Sequence, residues 1–126
     1  MKKTLLIIGG TITLLFALLH LSFWEMGNWA EELAKLSPDN GGILQMLTVG
    51  SIYMLVFAAG MTFSLVGKKE FSTSEKALLL FIAGYYLMRI VFAPAFFGYS
   101  SQELVIWIIC LLTAACYLVP VLRKQA

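Results

Sequence analysis

Four long apolar runs, at residues 4–24, 43–66, 77–97 and 104–122, alternate with short polar stretches along this chain. Each run has about the 20 residues that a helix needs to cross a ~30 Å hydrocarbon core. Local signals mark their ends. Gly67 is placed to stop the second helix. Ser72 with Glu75, and Ser100 with Glu103, have the spacing of capping boxes that open the third and fourth. Only about three residues separate the last two runs, so those helices must form a tight antiparallel hairpin. Pro120 falls in the last turn of the fourth run.

The first run follows Met1-Lys2-Lys3 and so starts like a signal peptide. It continues past His20 to Phe23 and Trp24 without a small-residue cleavage site, which makes it a retained span. Gly9, Thr13 and Ala17 recur every four residues along it and form a strip where another backbone can approach, with His20 and Trp24 prolonging the strip. In the second run Gly50, Ala58, Ala59, Gly60 and Thr62 offer further close-packing surfaces. The longest polar gap, residues 25–42, contains one more amphipathic segment. Asn28 with Glu31 has cap spacing, Trp29, Ala30, Leu33 and Leu36 share a face, and Glu31, Glu32 and Lys35 face water. This pattern predicts an interfacial helix over residues 29–36 covering the mouth of the bundle. The turn formers Ser37-Pro38-Asp39-Asn40-Gly41-Gly42 are expected to end it.

Composition turns this pattern into a class. Hydrophobic residues make up 60% of the 126 residues and charged ones 13%, which excludes an ordinary water-soluble domain and leaves no room for one beside the runs. The fold class expected is all-α, a single four-span membrane bundle over residues 1–126. Lys2, Lys3, Lys68, Lys69, Lys76, Arg123 and Lys124 fall on one side of the spans. Only Lys35 falls on the other, among Glu25, Glu31, Glu32, Asp39 and Glu103. The positive-inside rule then puts both termini and the 67–75 loop in the cytoplasm, with the 25–42 and 99–101 loops outside. The expected location is the cytoplasmic membrane of a bacterium. No basic stripe suits nucleic acid.

The chemistry is sparse. Cys110 and Cys116 are six residues apart, point in different directions on a helix and form no redox motif. A single histidine excludes bis-histidine haem ligation, and no catalytic set, metal cluster or cofactor motif is present. Trp24, Trp29, Trp107 and Tyr99 sit near the predicted outer boundary as an aromatic belt.

Arg89 stands apart, because a charge inside a span costs about 2.5–3.5 kcal/mol on insertion scales. Helical rise places it about 12–14 Å below the outer interface, with His20 and Gln45 at roughly 5–8 Å. Side chains lean towards the helix N-terminus, so Arg89 is expected to stay inside the bundle. Thr13, Ser51, Tyr53, Cys110 and Tyr117 lie at its depth on other spans, Tyr85 one turn away on its own, and no carboxylate is expected there. The predicted site is thus a polar pocket in the outer half, with Arg89, Gln45, Ser51 and Tyr85 inside and His20 at the rim. Such a pocket suits an anionic or amphiphilic small molecule, or a lipid head group, to be bound or transported. A structural alternative has Arg89 held by backbone carbonyls, since Pro94 deprives the Ile90 carbonyl of its donor. Under it the protein is an accessory subunit packing against a second copy or another membrane protein. A quinone-linked oxidoreductase component is a further alternative.

Phe16-x-Leu18-x-His20-x-x-Phe23 matches Tyr85-x-Leu87-x-Arg89-x-x-Phe92, and Gln45-x-Leu47 matches Gln102-x-Leu104. Two parallel helical hairpins would give that pattern, with His20 and Arg89 in equivalent places. In span number, orientation and length the chain resembles the small four-span bacterial membrane proteins of the DoxX-like type. That resemblance implies the architecture and carries no function with it.

Overall fold

Capping chemistry decides where three of the four long helices begin, and it moves several predicted boundaries. The computed structural model describes residues 1–123, which are helical throughout apart from short connections, without a strand among them. Four helices are long and apolar enough to cross a membrane: α1 (Lys2–Leu21), α4 (Pro38–Leu65), α5 (Thr73–Phe97) and α6 (Ser101–Leu122). Two short ones, α2 (Phe23–Met26) and α3 (Trp29–Leu33), join α1 to α4. Lys124, used in the charge count above, lies outside the described residues.

The expected turn at Ser37–Gly42 is instead the start of α4. Ser37 caps it, accepting the Asn40 N–H at 3.3 Å, and Pro38 takes the first helical position, where a missing N–H costs nothing. The second apolar helix therefore starts at Pro38, not at residue 43. α5 and α6 likewise start three or four residues earlier than the apolar runs, because their capped first turns are polar. The first helix stops at Leu21 rather than 24, where the Ser22 hydroxyl bonds back to the Leu19 carbonyl at 2.7 Å. α3 spans five residues rather than the expected eight, and Asn28 does not cap it. Its backbone is left-handed (φ 47°) and its side-chain amide donates to the Glu31 carboxylate.

The closest helix pairs are α1 with α4, α5 with α6, and α1 with α6, while α4 and α5 stand further apart. Consecutive glycines explain the central place of α1. A Cβ on Gly9 would lie 3.2 Å from the Cys116 Cβ and from the Tyr117 ring of α6, and one on Gly10 2.8 Å from the Phe63 ring of α4. Gly9, Thr13 and Ala17 are buried as their spacing predicts. Gly50 and Gly60 are not packing surfaces, since a Cβ at either would meet nothing within 4 Å.

The core contains Leu6, Leu55, Leu65, Leu79, Ile82, Tyr86 and Tyr117. Polar groups at its centre satisfy one another. The Thr13 hydroxyl donates to the Gly9 carbonyl at 2.8 Å and accepts from Tyr86 at 2.8 Å, with the Tyr117 hydroxyl 2.7 Å away. Thr62 approaches Tyr117 at 3.4 Å and bonds the Ala58 carbonyl at 2.7 Å. The rings of Tyr86 and Tyr117 are stacked, 6.3 Å apart. Outside this core the long helices turn apolar side chains outward, among them Leu15, Leu47, Phe57, Val91 and Leu111.

Candidate functional site

The three-residue turn Gly98–Ser100 between α5 and α6 sets the geometry around Arg89. Ser100 caps α6 by accepting the Glu103 N–H at 3.1 Å. In a full capping box the Glu103 carboxylate would return to the cap, as Glu75 does to the Ser72 N–H at 2.9 Å. It is used elsewhere. Arg89 Nη2 donates to both Glu103 oxygens, at 3.3 Å and 3.1 Å.

This pair corrects two expectations. A carboxylate is available to Arg89, supplied by the first turn of the next helix. The arginine also reaches towards the C-terminal end of its helix, against the expected side-chain direction. Its guanidinium carbon lies 4.6 Å from the centre of the Phe97 ring. Phe97 is eight residues further along α5, about 12 Å of helical rise. The ring leans back and the arginine stretches forward, and the attraction of the pair outweighs the ordinary side-chain direction. The Ile90 carbonyl that Pro94 leaves without its helical donor takes no part in holding Nη2, which goes to Glu103.

Burial makes the pair consequential, with Arg89 29% and Glu103 12% exposed. Two unit charges 4 Å apart attract by about 4 kcal/mol at an effective dielectric of about 20. An anion placed against Arg89 would gain about that much and lose about 3 kcal/mol to Glu103 a little further away. The site is therefore close to neutral, and its strongest remaining offer is hydrogen-bond donors. Among the described residues Arg89 Nη1 and Trp107 Nε1 are buried without an acceptor.

The predicted pocket residues separate into two groups. Tyr85 lies near Arg89, Ser51 of α4 and Cys110 of α6, so three of the five share one region. The Ser51 hydroxyl itself donates to the Leu47 carbonyl at 2.9 Å. Gln45 and His20 belong to the α1–α4 side, and no hydrogen bond or ion pair links either to Arg89. Gln45 donates to the Gly41 carbonyl at 3.3 Å and accepts from Trp24 Nε1 at 3.4 Å. His20 Nδ1 is 2.7 Å from the Phe16 carbonyl, and the ring packs on Phe23. Trp29 completes this cluster against Phe23 and Trp24. α3 thus covers the end of the α1–α4 pair, over a depression of about 210 Å³ lined by Trp29, Glu32, Leu33, Leu36 and Leu44. Of the other residues expected at the depth of Arg89, Tyr53 points outward and Thr13 and Tyr117 bond within the core.

Glu103 and Trp107 are the site residues that sequence reasoning missed. Glu103 reads as a cap residue in the sequence, and the one signal for its second role is the short turn, which sets the first turn of α6 beside α5. No family model, curated protein or solved structure matches the chain. Its class rests on the fold: an all-helical protein with four helices fit to cross a membrane.

Proposed function

We propose that this chain is a multi-pass protein of a bacterial cytoplasmic membrane that binds an amphiphilic small molecule through Arg89. The apolar outward faces of the four long helices support the membrane setting, since a water-soluble domain exposes no such continuous belt. The orientation follows the charges. Lys2 Nζ reaches the Lys69 carbonyl at 2.8 Å and Arg123 the Met1 sulfur at 3.3 Å, so both ends of the described chain and the loop after α4 share one basic face, the cytoplasmic one.

The observation that carries the binding role is the divided guanidinium. Nη2 is held by Glu103, whereas Nη1 is buried with no acceptor. A buried donor without a partner costs about 1–3 kcal/mol, and an acceptor oxygen on a bound molecule removes that cost. Native mass spectrometry of the purified protein tests this reading. Wild type should retain a small amphiphilic species, and Arg89→Lys should release it while preserving the ion pair and the fold, because lysine lacks the second arm of the fork. Equal retention by both proteins, or no bound species in either, would overturn it.

The pair itself favours a second reading, an accessory subunit of a membrane complex. A neutralised Arg89 that only fastens α6 to α5 predicts that the variants change stability and nothing else.

A further inference from the structure

We infer that the group recognised at this site is an uncharged ester carbonyl of a glycerolipid, taken up by Arg89 and Trp107 beside the exposed rings of Phe97 and Tyr99. The inference rests on the binding role proposed for Arg89 and names its ligand.

Both unpartnered donors belong to one end of the α5–α6 hairpin. Glu103, which holds Arg89, and Trp107 are four residues apart on α6, so their side chains are neighbours. The lean of helical side chains carries the indole towards Glu103. Each donor-bearing side chain packs against an aromatic residue in or next to the turn. Phe97 lies over the guanidinium at 4.6 Å, and Tyr99 meets the Trp107 ring edge-on at 5.6 Å. Both aromatic residues are largely exposed on their other sides. Between them Gly98 has φ 69° and ψ −160°, a conformation open to little but glycine, and a Cβ there would meet nothing within 4 Å. The two rings therefore flank a glycine with open space around it, one at the end of α5 and one in the turn.

Charge and depth select the ligand group. Glu103 already neutralises Arg89, so an anionic head group gains little here, while a neutral carbonyl oxygen accepts from either donor without facing net repulsion. α5 has 25 residues, about 37 Å, longer than a ~30 Å hydrocarbon core, so its last turn reaches the interfacial layer. Ester linkages join head group to acyl chains in that layer, and Arg89 stretches up to it.

The test uses delipidated full-length protein in native mass spectrometry with three added lipids of equal chain length. These are a diester phosphatidylcholine, a diester phosphatidylglycerol and a diether phosphatidylcholine. The two diesters should bind wild type within about threefold of each other, and the diether about tenfold more weakly, one hydrogen-bonded carbonyl being worth roughly that factor. Trp107→Phe should lower the diesters towards the level of the diether and leave the diether unchanged. Preference for phosphatidylglycerol with no difference between ester and ether would overturn the carbonyl assignment in favour of anion recognition. Wild-type values alone decide that point if Trp107→Phe fails to fold. Failure of wild type to retain any of the three, or retention unchanged in Arg89→Lys, refutes the underlying binding role instead.

Discussion

Arg89 Nη2 lies 3.1 Å from Glu103 Oε2 across the turn that joins α5 to α6. One glutamate thereby serves two ends of the same hairpin: its backbone is capped by Ser100, and its carboxylate holds a charge that belongs to the preceding helix. The turn is short, so the pair ties the two helices where they would otherwise fray. It leaves Nη1 unused, which separates a fastened arginine from a fully satisfied one.

The core hydroxyl cluster should respond unequally to single substitutions. Thr13 stands between two buried tyrosine hydroxyls, so Thr13→Val orphans Tyr86, leaves Tyr117 only its longer contact with Thr62, and should cost about 2–3 kcal/mol, at about 1–3 kcal/mol per buried unmet group. Tyr86→Phe leaves Thr13 still bonded to Gly9 and near Tyr117, and should cost about 1 kcal/mol. Unfolding of the detergent-solubilised variants gives the order. A Thr13→Val no more damaging than Tyr86→Phe would contradict the role of Thr13 as the shared partner.

Adjacent glycines should differ for a reason that distance alone does not reveal. The added methyl at position 10 comes nearer its neighbour, but that neighbour is Phe63, 39% exposed and free to turn away. At position 9 the methyl meets Tyr117, fully buried and bonded, and the Cys116 Cβ. Gly9→Ala should therefore lose about 1–3 kcal/mol and Gly10→Ala less, by the usual cost of overpacking. Gly84→Ala, with open space around it, should be neutral or slightly stabilising. The three melting temperatures measured together check the ranking.

The basic face predicts sidedness. A cysteine at Lys68 should resist a membrane-impermeant maleimide in intact cells, whereas one at Asp39 should react. The reverse pattern would invert the bundle.

The four long helices were legible because apolar runs of that length have few other uses. Their boundaries were less so, since a run counts apolar residues while a helix begins at its cap. Ser37-Pro38 looks like a turn by composition and acts as a cap followed by a proline at the first helical position. The same habit hid half of the site. The spacing of Ser100 and Glu103 fits a capping box, and nothing local says that the carboxylate leaves it for Arg89, fourteen residues back in the chain. The core cluster did leave a signal, because a tyrosine in the middle of an apolar helix needs a partner for its hydroxyl. Tyr86, Tyr117 and the Thr13 strip could have been matched on that ground. The separation of His20 and Gln45 from Arg89 was not legible, because depth along a helix is readable from sequence but the side of the bundle is not.

The measurement that bears most directly on the site is lipid retention in native mass spectra of Glu103→Gln and of the double variant Arg89→Leu/Glu103→Leu, set beside their unfolding. Glu103→Gln leaves a partly buried guanidinium uncompensated and should lose about 2–3 kcal/mol, somewhat less than for a fully buried pair. The double variant replaces the pair with apolar side chains and should recover wild-type stability to within about 1 kcal/mol. A binding site predicts that this stable double variant retains diester lipid several-fold more weakly than wild type. A stable double variant that keeps its lipid at the wild-type level would show that Arg89 and Glu103 only hold the hairpin together.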